Sequence, residues 1–174
     1  MNTSLYFQPG HWGLVILPHG GHVQLLAAAG RLALRGPIII LDGGNRCNVY
    51  TLARAVGGRT DVLRRVHLSR AFTCYQVAAL LEDTPESLHP VIVLDLLSTF
   101  YDEAVSVFER RRLLNICLAH LLRLSRGAGL LVSASIPKVA SPENVALLET
   151  LQAGADGVWS PAPALPVAEP ERLF

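Results

Sequence analysis

Cysteine is scarce in this chain and lysine is nearly absent. The three cysteines, Cys47, Cys74 and Cys117, are odd in number and far apart in sequence. That pattern excludes a disulfide framework and a cysteine-based zinc site, and it fits free thiols in a reducing cytoplasm. All but one of the 15 basic residues are arginine, and against 14 acidic residues they leave a net charge of +1. A domain that binds DNA alone carries a strong basic excess, so any basic patch here must be local. No apolar run reaches the roughly 18 residues needed to cross a bilayer. The N-terminal Met1-Asn2-Thr3-Ser4 has no basic region followed by a long apolar stretch, so no signal peptide is expected. A cytoplasmic protein without a membrane segment is the resulting expectation.

What the chain has is apolar residues in short blocks. They make up 51% of its 174 residues, too many for a disordered chain, and the length suits one domain with one core. Residues 12–17, 37–41, 66–69, 91–94 and 130–133 read as buried strands, with a short sixth at 157–159. Helices are predicted over 23–34, 49–56, 73–81 with Thr73 as N-cap, 103–125, and 142–151 behind Ser141. Strands alternating with helices imply parallel pairing through crossovers. The expected fold is α/β, a three-layer α/β/α arrangement around a mostly parallel sheet of five to six strands. It occupies residues 1–160, and a Pro-rich C-terminal tail, 161–174, reads as extended or mobile. Ligands of such sheets sit beyond the carboxyl ends of the strands, so the turns 18–22, 42–48, 95–102 and 133–141 carry the functional information.

Four landmarks follow one another along the chain. They are the turn Gly20-Gly21-His22-Val23, the run Ile38-Ile39-Ile40-Leu41-Asp42, the segment Leu63-Arg64-Arg65-Val66-His67-Leu68-Ser69-Arg70-Ala71, and Val91-Ile92-Val93-Leu94-Asp95. The last leads into Glu109-Arg110 and a long Leu-rich helix. In order and spacing they resemble the RecA/RadA family of strand-exchange ATPases over residues 12 to 160. The third is similar to that family's "LERVHVARA" segment, and the fourth looks like a Walker B strand. The resemblance implies a RecA-like P-loop NTPase topology, with nucleotide held at Gly20, Gly21 and His22 and with Asp95 on the metal side.

The chain departs from that family where the chemistry would be done. A P-loop combines backbone N–H groups with a Lys for the β/γ charge and a Ser/Thr hydroxyl for Mg²⁺. Here His22 stands at the Lys position and Val23 at the hydroxyl position. After strand two, where the family carries a water-activating Glu, the chain has Gly43 and Gly44, and Ser135 replaces the family's γ-phosphate-sensing Gln. Each such group is worth several kcal/mol of transition-state stabilisation, so their joint loss removes ordinary ATP hydrolysis. No cofactor is therefore expected. ATP with Mg²⁺ is the one candidate left, on the strength of the glycines.

Other candidates are weaker. His11, His19 and His22 offer no carboxylate or thiolate partner, so no metal site is assigned. Asp42 and Asp95 end their strands, either as paired carboxylates or as hydrogen-bonding caps, and Asn45 and Ser135 stand at the same ends. Cys74 opens a helix without a His partner and reads as structural. Arg110, Arg111, Arg112 and Lys138 follow strands four and five, where the resembled family contacts DNA. Asp102, Glu103 and Glu109 cancel most of their charge, so DNA binding by this chain alone is expected to be weak. The residues thus point to a non-catalytic RecA-like paralogue. It would serve as an accessory or protein-interaction subunit in DNA recombination or repair, with a protein partner or a second copy of itself. The alternatives are a nucleotide-binding protein or NTPase with an altered phosphate loop, and an unrelated α/β enzyme using the Asp42–Asn48 turn. Strand one lying between the strands that carry Asp95 and Ser133 would favour the RecA resemblance, and another strand order would favour the unrelated enzyme.

Overall fold

The computed structural model describes residues 8–18 and 21–160, so His19, Gly20 and the tail 161–174 lie outside the described residues. Six strands, β1 (Trp12–Leu17), β2 (Ile38–Asp42), β3 (Val66–Arg70), β4 (Val91–Leu94), β5 (Leu130–Ser135) and β6 (Gly157–Trp159), form one sheet. Its order is β3-β2-β4-β5-β1-β6 and every pairing is parallel. The helices are α1 (His22–Ala33), α2 (Val49–Ala55), α3 (Thr60–Leu63), α4 (Cys74–Asp83), α5 (Val107–Ser125) and α6 (Pro142–Gly154).

Two apolar layers hold these elements. Alternate strand residues such as Val15, Leu17, Ile40 and Leu94 pack under α1, α2 and α3. Leu14, Ile16, Val93 and Val132 pack under α4, α5 and α6. The chain moves one way across the sheet from β1 to β3 and back the other way from β3 to β6. Connections of constant hand must then fall on opposite faces, and they do. The expected three-layer α/β/α fold is therefore present. Gly30 lets α1 and α2 meet closely, since a Cβ there would stand 2.7 Å from the Ala55 Cβ.

Three details differ from the sequence expectations. Strand one adjoins β5, which carries Ser133, but not β4: the crossover through α5 lays β5 directly beside β4, so the order named above as favouring the RecA resemblance is not the one found. The long helix starts at Val107, not at 103, because Ser106 accepts from the Glu109 N–H as its N-cap. Residues Ser98–Tyr101 form a 3-10 turn before it. The buried stripe of α5 is Leu113, Leu114, Cys117, Leu121 and Leu124, while Phe108 and Leu122 face outward. Within the described residues no helix is long and apolar enough to cross a membrane.

Candidate functional site

The fold places its crevice between β2 and β4. These neighbours send their next helices to opposite faces, which is where open parallel sheets leave room beyond the strand ends. Asp42 closes β2 and Asp95 follows β4, and both are fully buried. The sequence left these two carboxylates as a pair or as hydrogen-bonding strand ends, and in the structure both accept backbone N–H groups at the ends of neighbouring strands. It also shows that each is already neutralised by an arginine.

Asp42 organises the turn that follows it. Its Oδ1 accepts the Arg46 N–H at 2.8 Å and Oδ2 accepts the Cys47 N–H at 2.9 Å. The Arg70 guanidinium, at the end of β3, donates to Oδ2 at 3.2 Å. The turn between is tightened by Asn45, which sits in the left-handed region at φ 53° and is exposed. Asn tolerates that conformation better than most side chains.

Asp95 is held more firmly still. Its backbone is left-handed, φ 49°, which turns the carboxylate back over the sheet. Its N–H donates to Ser133 Oγ at 2.9 Å and its Oδ1 accepts the Ser135 N–H at 2.8 Å. Its Oδ2 accepts from Arg46 Nε at 2.7 Å, and His22 Nε2 stands 4.0 Å from the same oxygen. Gly44 runs directly over it, and a Cβ at that position would lie 2.6 Å from the Asp95 Cβ. The glutamate that the resemblance would place in this turn has no room at Gly44. Tyr101 donates from its hydroxyl to the Ser135 carbonyl at 3.0 Å, and burial together with the field of Asp95 pushes its pKa up.

Residues 18–21 join β1 to α1. The Gly21 N–H donates to the Pro18 carbonyl at 3.0 Å and α1 begins at the next residue. His22 is buried at 4% exposure and faces Asp95 rather than open solvent, whereas Val23 is exposed. Gly20 lies outside the described residues.

Thiol chemistry is not prepared here either. Burial, and after it the charge of Asp42, raises the Cys47 pKa against the opposing effect of Arg70. Burial likewise raises Cys74, and the Tyr75 N–H at the helix start opposes it only in part. Both thiols are therefore kept protonated at neutral pH.

The arginine cluster separates. Arg110 is buried, with Nη1 donating to the Phe100 carbonyl at 3.2 Å and to Asn144 Oδ1 at 3.1 Å. Arg111 is exposed, and Arg112 pairs with Glu109 one turn before it. Lys138 is exposed beside β5. Sequence reasoning missed Arg46 and Arg70 as partners of the two carboxylates. The signal available was general: a buried strand-end Asp needs a cation or several N–H donors.

Structurally this is an α/β protein with an all-parallel six-stranded sheet and two buried carboxylates, each paired with an arginine, at its topological switch point. No protein-family model matches the chain, and no curated protein is recognisably similar to it in sequence.

Proposed function

We propose that this protein is a non-catalytic RecA-like domain that works as an accessory, protein-binding subunit, in DNA recombination or repair. One observation carries the non-catalytic part: the Arg46 guanidinium sits on Asp95 at 2.7 Å, on the carboxylate that would otherwise face a divalent cation. A permanent protein cation there satisfies the charge internally, and Mg²⁺ could bind only by displacing it. The burial of His22, at the position where the resembled family carries its lysine, supports the same reading.

The interaction role draws support from where the exposed apolar side chains lie. Tyr50, Phe72, Tyr75, Phe108, Ile136 and Val139 are exposed, and each lies just after a strand's carboxyl end or in the first turn of a helix. Helices that return antiparallel to the strands begin at that same end of the sheet. Leu34, Leu88, Leu122 and Val158 are exposed away from that end, so the support comes from the aromatic side chains Tyr50, Phe72, Tyr75 and Phe108, a type enriched at docking surfaces. The pathway rests on the resemblance of segment 63–71.

The test has two readings. Purified protein should release no orthophosphate from ATP with Mg²⁺ above background. A partner cross-linked in cells should be lost on Phe72→Ser with Phe108→Ser, while the thermal midpoint is unchanged. Turnover that disappears on Asp95→Asn would refute the proposal.

A further inference from the structure

We propose that a cleft at the carboxyl ends of β4 and β5 binds an oxyanion, the carboxylate or phosphate group of a small ligand, through Arg46, Lys138 and Ser135. The cleft has a volume of about 400 Å³, enough for a small metabolite, and Arg46, Ser135, Lys138 and Asn144 all line it. Glu103 stands on its rim and is exposed.

Three observations on the described residues point to an anion. Ser135 is 5% exposed, and its Oγ is buried with no hydrogen-bond partner in the protein. Such a hydroxyl costs stability, and it is commonly explained by a missing ligand or ion. Arg46 commits only Nε to Asp95, so its two terminal nitrogens remain to donate as a fork, the geometry that suits carboxylate and phosphate.

The third observation lies behind the cleft wall. Arg110 is 4% exposed and makes no ion pair with any described carboxylate, and its Nε has no hydrogen-bond partner. Its Nη1 holds Asn144 Oδ1, and Asn144 in turn donates from Nδ2 to the Val139 carbonyl. A buried permanent cation without a counter-ion favours negative charge in the adjoining space. Asp95 offsets Arg46, and Glu103 on the rim offsets one of the two remaining cations. A single positive charge is left to be matched, which suits one oxyanion. The inference stands whether or not the domain docks a protein partner, since it uses none of the exposed aromatic side chains.

The experiment titrates the isotopically labelled full chain with sodium phosphate, and separately with sodium acetate, against chloride at matched ionic strength to remove general screening. Saturable amide shifts centred on Ser135 and Lys138 are expected for at least one anion. Whichever binds more tightly identifies the ligand as a phosphate ester or a carboxylic acid. Lys138→Glu should weaken binding by about tenfold or more. Ser135→Ala should weaken it too while leaving the thermal midpoint equal to or above wild type, because an unpaired buried hydroxyl is removed. Linear, non-saturating shifts with both anions would overturn the inference, as would saturable binding that neither substitution alters.

Discussion

Arg46 reaches back over the turn after β2 and places its Nε 2.7 Å from Oδ2 of the fully buried Asp95. The pair joins two neighbouring strand ends that are 49 residues apart in sequence. Removing the cation strands a buried carboxylate, so Arg46→Met should lower unfolding free energy by about 3 kcal/mol, the low end for such pairs because the guanidinium is partly exposed. Asp95→Asn in that background should recover part of the loss, and a double-mutant cycle in urea would measure the coupling. Equal midpoints for wild type and Arg46→Met would show that the pair contributes nothing.

Gly44 is required by the same network. Gly44→Ala would put a methyl 2.6 Å from the Asp95 Cβ, whose position is fixed by four hydrogen-bonded or charged neighbours. A loss of about 1–3 kcal/mol is expected from this overpacking. Asn45→Gly, one residue on and exposed, should be neutral or slightly stabilising, because glycine accepts the left-handed φ at no steric cost. Comparing the two thermal midpoints separates crowding from backbone conformation.

Cys117 should contribute to the loss of stability at alkaline pH, alongside Cys47, Cys74 and Tyr101, whose pKa values are also raised. Burial pushes its thiol from 9.0 up to about 12 in the folded protein. The folded state therefore keeps this proton longer than the unfolded chain does. Its contribution is fully present below pH 9 and is lost progressively as pH rises towards 12. Denaturant midpoints measured across that window should fall, and Cys117→Ala should fall less steeply, from a lower starting point. At pH 8 the Cys117 thiol should resist alkylation until the protein is unfolded, because thiolate is the reactive form.

Restoring the missing phosphate-loop residues should not restore nucleotide binding. His22→Lys with Val23→Ser places an ammonium at a position that is 4% exposed and faces a carboxylate already held by Arg46. The expected result is a lower thermal midpoint and no shift with millimolar ATP and Mg²⁺, where binding would raise the midpoint through mass action. A midpoint that rises with ATP would show that the turn can open into a cradle.

The strands, the helices and their capping residues Thr73 and Ser141 were legible because apolar runs, helical spacing and cap chemistry are local signals. The start of α5 was misjudged because 103–106 is locally compatible with helix. Asp102, which accepts the Ala104 N–H, and the Ser106 cap settle it otherwise. The face that α5 turns inward is set by α4 and the sheet, so Phe108 and Leu122 are exposed while Arg110 is buried.

By itself the sequence determined an α/β chain with parallel strands, the crevice end of its sheet, and Asp42 and Asp95 as the carboxylates at that end. Period, burial pattern and strand-end chemistry depend on neighbours a few residues away. Only the tertiary structure decided the strand order, the inward turn of His22 and Arg110, and the pairing of Asp95 with Arg46 and of Asp42 with Arg70. Those choices follow from which distant strand ends are brought together, and a buried charge takes whatever counter-charge the fold delivers to it.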